Sequence, residues 1–209
     1  MNSILTILTT SAFFANSAMA LTVPIVAVFI VEDLVGGSVA AAGFAATIYM
    51  VVKALLQIPV GRYTDGDSGC MREYGVMLVG RVLLVAVPFL YLFIDHIREL
   101  YMLQVLAGIG AALVYPGWMV LFTRFADHQQ EGREWSWFNT LVTFGGAAAA
   151  SFGGWSAQRF GFDVVFITWG ILEAISLMTT LFLSQHHTDL ATGCATVRRK
   201  HIVHNVHCA

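Results

Sequence analysis

Charge is what this sequence has least of: 11% of its 209 residues are Asp, Glu, Lys or Arg, against about a quarter in soluble domains. That deficit excludes an ordinary soluble globular domain. Cysteine is scarce too. Cys70, Cys194 and Cys208 form neither an even set nor a regular spacing, so no disulfide framework is expected. No block of Lys and Arg is long enough to track a phosphate backbone, and the net charge is −2, so nucleic acid is not an expected partner. A phosphate loop, a nucleophile elbow and a His/Glu zinc pair on a helix are missing as well, so neither an enzyme, nor a cofactor, nor a resident metal is expected.

What is present is apolar: 57% of residues are hydrophobic. Runs of about 20 apolar residues recur, each long enough to cross a hydrocarbon core about 30 Å thick. Charged clusters separate them into spans near 4–31, 37–60, 74–94, 100–123, 136–157 and 163–184. The runs are continuous, without the alternation of ten-residue barrel strands, so they predict an all-α polytopic membrane protein of six transmembrane helices. Ala18-Met19-Ala20 resembles a signal-peptide cleavage site. However, no Lys or Arg precedes the run, and it continues through Pro24 to Val31, so a retained, Pro-kinked span is expected. Arg62, Arg72, Arg124, Arg133, Arg198, Arg199 and Lys200 fall on one side and only Arg98 and Arg159 on the other. The excess of basic residues on the first side places both termini in the cytoplasm.

Between spans two and three the chain reads Pro59-Val-Gly61-Arg-Tyr-Thr-Asp65-Gly-Asp67-Ser-Gly69-Cys-Met-Arg72. This resembles the signature loop of the major facilitator superfamily. Gly61 permits close helix approach, Asp65 can accept from a helix N-terminus or an Arg, and Gly66 and Gly69 permit a tight turn. The turn carries one extra residue, and Arg72 alone remains of the usual basic pair. In span four, Gln104-Val-Leu-Ala-Gly108-Ile-Gly110-Ala-Ala is similar to the family's fourth-helix pattern, with Gln104 where that pattern opens with Arg. This withdraws a group that serves proton coupling in some members. A third match, Gly153-Gly154-Trp-Ser-Ala-Gln158-Arg159-Phe-Gly161-Phe-Asp163, resembles the join between helices five and six. Gly154 and Gln158 repeat the Gly61–Asp65 spacing three helices later, as 3+3 inverted repeats do. The resemblance covers about residues 4–184, the amino-terminal half of a twelve-helix member, and implies a plasma (inner) membrane transporter that moves a small solute by alternating access. One half supplies one wall of a midplane site, so a second six-helix bundle is implied, from a homodimer or a separate chain. A truncated, non-transporting half or an assembly subunit is the alternative.

Intramembrane ionisable residues are costly and therefore candidates for function. Lys53 shares a helical stripe with Tyr49 and Gln57 at i±4, either lining a cavity or snorkelling to the headgroups. Arg81 and Glu173 lie at depths that differ by roughly 6 Å, within reach of an Arg side chain. They are read as a structural ion pair or as a coupling site. The resemblance makes Asn16, Gln104, Tyr115, Asn139 and Thr143 candidate cavity residues. Gly145-Ala149-Gly153 and Gly146-Ala150-Gly154 form small-residue ridges, for packing within the bundle or for rocking between two bundles. Trp135 and Trp137 are placed as interface anchors.

Composition changes at Gln185. Residues 1–184 read as the bundle and 185–209 as a disordered cytoplasmic tail, with Arg198-Arg199-Lys200 held near anionic lipid. His201, His204, His207 and Cys208 have soft-metal chemistry but no apolar framework to close a site. Out-of-frame sequence is a third reading of the tail.

Overall fold

Four prolines punctuate the chain, and each one lies inside a helix: Pro24, Pro59, Pro88 and Pro116. Membrane helices tolerate proline because neighbours re-satisfy the freed carbonyls. The computed structural model describes residues 3–64, 70–126 and 131–186. Asp65 and Gly69 of the signature loop lie outside these residues, as does the tail from His187 with its His and Cys side chains.

The helices are α1 (Ser3–Glu32), α2 (Val39–Thr64), α3 (Cys70–Tyr91), α4 (Ile97–Phe125), α5 (Glu131–Phe160) and α6 (Phe162–Phe182), the last followed by a 3-10 turn. Among the described residues no strand forms beyond one isolated bridge. Five of the helices, all but α5, are long and apolar enough to cross a membrane, and the protein is an integral membrane protein on that ground. The 30 residues of α5 would reach about 45 Å, but Glu131, Arg133 and Glu134 crowd its start, and Gly, Ala and Ser fill its middle. Helices α2, α4 and α5 extend past the expected spans by several residues at one or both ends, because polar residues continue a helix beyond the hydrocarbon.

Local chemistry sets the ends. Gly36, at φ +83°, lets the chain reverse after α1, and Ser38 Oγ accepts the Ala41 N–H at 3.1 Å to start α2. Glu99 accepts the N–H groups of Asp95 and His96 at 2.9 and 3.1 Å, closing the entry to α4. Val35 pairs with the His96 strip across the two loops at this end: its N–H donates to Asp95 O and its carbonyl accepts from Ile97.

Packing follows a simple rule. Helix α1 packs on α5 and α6, α4 packs on α2 and α3, and α3 meets α6, whereas α1–α2 and α2–α3 touch little. Glycines allow the close crossings: a Cβ on Gly80 would stand 2.7 Å from Gly110 O, and one on Gly108 would stand 2.9 Å from Val52. Gly145 and Gly153 face Phe13, Ser17 and Leu21 of α1, so that ridge packs within the bundle. Two apolar layers result. Ile4, Leu8, Met77, Leu121 and Phe122 gather at the end that holds the α2–α3 loop, and Phe29, Ile30, Val87, Tyr91, Leu100 and Phe166 at the other. Trp135 is half-buried near the start of α5. It packs with Trp118, Phe122 and Phe138 at ring distances of 4.5–6.4 Å, while Trp137 is exposed.

Candidate functional site

Between the two apolar layers lies a buried polar belt. Arg81 on α3 and Glu173 on α6 are almost fully buried, with Nη1 and Oε2 3.7 Å apart. At that distance the pair is ionic without a hydrogen bond. Arg81 Nη2 donates to Ser11 Oγ of α1 at 3.4 Å. The Ser11 hydroxyl also meets Thr180 Oγ1 at 2.8 Å and Ser176 Oγ at 3.3 Å, and Ser176 Oγ donates to the Ser11 carbonyl at 2.8 Å. Three helices are thereby tied through one cluster. Arg81 Nε and Glu173 Oε2 have no hydrogen-bond partner among the described residues, so the cluster is under-satisfied for its depth.

A second group sits on α2 and α4. The Lys53 ammonium lies over the Tyr115 ring at 5.1 Å and over the Tyr49 ring at 6.0 Å, both within cation–π range. Gln57 is half-buried one turn further along α2, and Tyr115 is 42% exposed.

The remaining sequence candidates divide. Gln104 Nε2 donates to Tyr91 Oη of α3 at 2.8 Å, so it faces a neighbouring helix. Asn16 is exposed but donates to Ala12 O of its own helix at 2.7 Å. Asn139 and Thr143 are exposed on α5. No described residue approaches within 4 Å of where a Gly61 Cβ would stand, so no helix crosses closely at that glycine. Arg72 reaches back to the end of α2, donating to Tyr63 O at 3.1 Å with its guanidinium 4.9 Å over the Tyr63 ring. A cation there complements the C-terminal end of the helix dipole.

Sequence reasoning missed the Glu73–Arg124 pair. Glu73 is fully buried at the start of α3 and meets Arg124 Nη1 at 3.0 Å, tying the loop end of α3 to the last turn of α4. The signal was present, since Glu73 opens an apolar run as Arg124 closes another. Ser11, Ser176 and Thr180 were missed as well. Glu173, Ser176 and Thr180, three and four residues apart, share one helix face as the i±4 Lys53 stripe does. Among the described residues no group of His, Cys, Asp and Glu is arranged to hold a metal ion.

Curated proteins similar to this chain include the proton-coupled antiporter flippase LtaA of Staphylococcus aureus, 28% identical in strain USA300 and 27% in strain MSSA476, each over 85 residues. That stretch is 41% of this chain and 22% of the relative, so the chain aligns with about a fifth of the length of these proteins. The family match is much wider, with residues 8–197 fitting the Major Facilitator Superfamily. Taken with five membrane-length apolar helices, it follows that the chain belongs to the Major Facilitator Superfamily of membrane transporters.

Proposed function

We propose that residues 1–184 form a six-span bundle of two inverted three-helix repeats, and that this bundle is one half of a secondary transporter carrying a small solute by alternating access. The observation that supports it best is the packing rule. Exchanging α1 with α4, α2 with α5 and α3 with α6 turns the α1–α5 contact into α4–α2, turns α1–α6 into α4–α3, and leaves α3–α6 unchanged. Two repeats related by a two-fold axis in the membrane plane give such a map. On this reading α5 is the sixth span, its low hydropathy offset by tight backbone packing on α1. Both termini then face the cytoplasm of a plasma (inner) membrane, with residues 185–209 as a cytoplasmic tail.

The solute path follows α1, α2, α4 and α5. Asn16, Lys53, Gln57, Tyr115, Asn139 and Thr143 stand half-buried or exposed on these four helices and none lies on α3 or α6. A second bundle, from another copy or another polypeptide segment, closes the path, while Arg72, held against Tyr63, braces the start of α3 on the end of α2 at the cytoplasmic side. Arg81–Glu173 is a structural pair at the back of the bundle.

Topology tests this reading. In a full-length chain whose native cysteines are replaced, single cysteines at Gly132 and Phe160 should react with an impermeant maleimide from opposite sides of the membrane, Gly132 from the cytoplasm. Labelling of both from one side overturns the 3+3 arrangement.

A further inference from the structure

The intramembrane charges do not cancel. Among the described residues, Arg81 is matched by Glu173 and Arg124 by Glu73. Lys53 makes neither an ion pair nor a hydrogen bond with any described residue. Its span is expected to end near residue 60, about two turns on and roughly 10 Å along the axis, before α2 itself ends at Thr64. The ammonium does not reach toward that interface. The side chain instead lies over Tyr49, one turn toward the other end of α2, and over Tyr115 of α4.

A lone cation at mid-span is expensive, and two aromatic faces recover only part of the cost. Evolution retains such groups where they act. Around the ammonium stand donors, the Gln57 amide one turn on and the two tyrosine hydroxyls on the rings that cage the cation; among the described residues no carboxylate lies within ion-pair distance of it, and Glu173, whose charge reaches Tyr49, is already matched by Arg81. Tyr115 keeps the cage partly open. We infer that Lys53, caged by Tyr49 and Tyr115, is the recognition charge for an oxyanion, so that the solute bears a carboxylate or a phosphate. This rests on the transporter reading above and adds the class of its substrate. Phosphate from a soluble ester and phosphate from a lipid headgroup share the chemistry.

The test is binding to the full-length chain in neutral detergent, read as the shift of its thermal unfolding midpoint, since a ligand of the native state stabilises by mass action. The probes are glycerol 3-phosphate, benzoate, and phosphatidylglycerol mixed into the micelle. Glycerol, benzamide and a diacylglycerol are their counterparts without an oxyanion. An anion should raise the midpoint where its counterpart does not. Lys53→Met should weaken the apparent affinity by roughly tenfold to a hundredfold, and Lys53→Arg should retain most of it. Without ligand, Lys53→Met should unfold no earlier than the native chain, because the unmatched charge is gone. A shift with phosphatidylglycerol alone assigns the oxyanion to a lipid headgroup, and a shift with a soluble anion alone assigns it to an aqueous solute.

Equal shifts from charged and uncharged probes, shifts that survive Lys53→Met, or no shift at all overturn the inference. So does a Lys53→Met chain that fails to fold while Lys53→Arg folds and binds no anion; Lys53 is then a cation–π post between α2 and α4. Binding is read without flux, so a failed binding test leaves the transporter reading standing, and a failed flux test leaves the binding result standing.

Discussion

At the scale of residues, charge partners decide what a substitution does. Glu173→Gln leaves the Arg81 cation in a buried site with hydroxyls as its partners, and breaking such a pair costs about 3–5 kcal/mol. The expected result is a sharply lower unfolding midpoint and poor yield, while the double variant Arg81→Met, Glu173→Met recovers most of the loss. A Glu173→Gln protein that folds normally yet loses solute flux would instead assign the carboxyl to coupling. Arg124→Ala strands the fully buried Glu73 carboxylate and should destabilise by about 1–3 kcal/mol, with Glu73→Leu in the same chain restoring stability. A denaturation series on the single and double variants checks both pairs through their coupling energies. The closeness of Arg81 and Glu173 can be read from depth alone, because helices of known rise place both near mid-span. Their role cannot be read this way. The third member, Ser11, is 70 residues from Arg81, and nothing local marks a serine on an apolar helix as the one that points at an arginine.

Glycine placement governs the elements. Gly80 and Gly110 let α3 and α4 cross with backbone near backbone, so Gly80→Leu must push the helices apart. Overpacking costs about 1–3 kcal/mol, and the expected readout is a lower midpoint. Gly43 of α2, where no described residue lies within 4 Å of a Cβ, should accept Leu with a change within about 0.5 kcal/mol. Five membrane-length helices and most of their ends are legible in the hydropathy pattern, because each run satisfies the length rule by itself. The sequence also marks the small-residue ridges of α5, but not how far each one packs: Gly145 and Gly153 meet α1 and so does Gly146, at Ala20, whereas Gly154 meets no described residue. The extent depends on the rotation of α5 about its axis, which tertiary packing sets. Gly61 shows the same limit from the other side, since a motif glycine need not sit at a crossing.

For the whole molecule, the proposed function requires two bundles. The full-length chain in vesicles should carry solute only when its scattering mass, corrected for detergent, corresponds to more than one bundle. A strict single-chain particle that carries solute would overturn the need for a second bundle. A further consequence of the packing rule concerns synthesis. Helices α1, α2 and α3 hardly touch one another; their partners are α4, α5 and α6. The first three spans therefore leave the ribosome with nothing to fold against. About 90 residues separate Arg81 from Glu173, and at about 5–20 residues per second the arginine waits roughly 5–20 s for its counter-charge. During that wait it must be sheltered by water, lipid headgroups or the insertion machinery, so the hazard in making this protein lies in the lag before its last helices arrive.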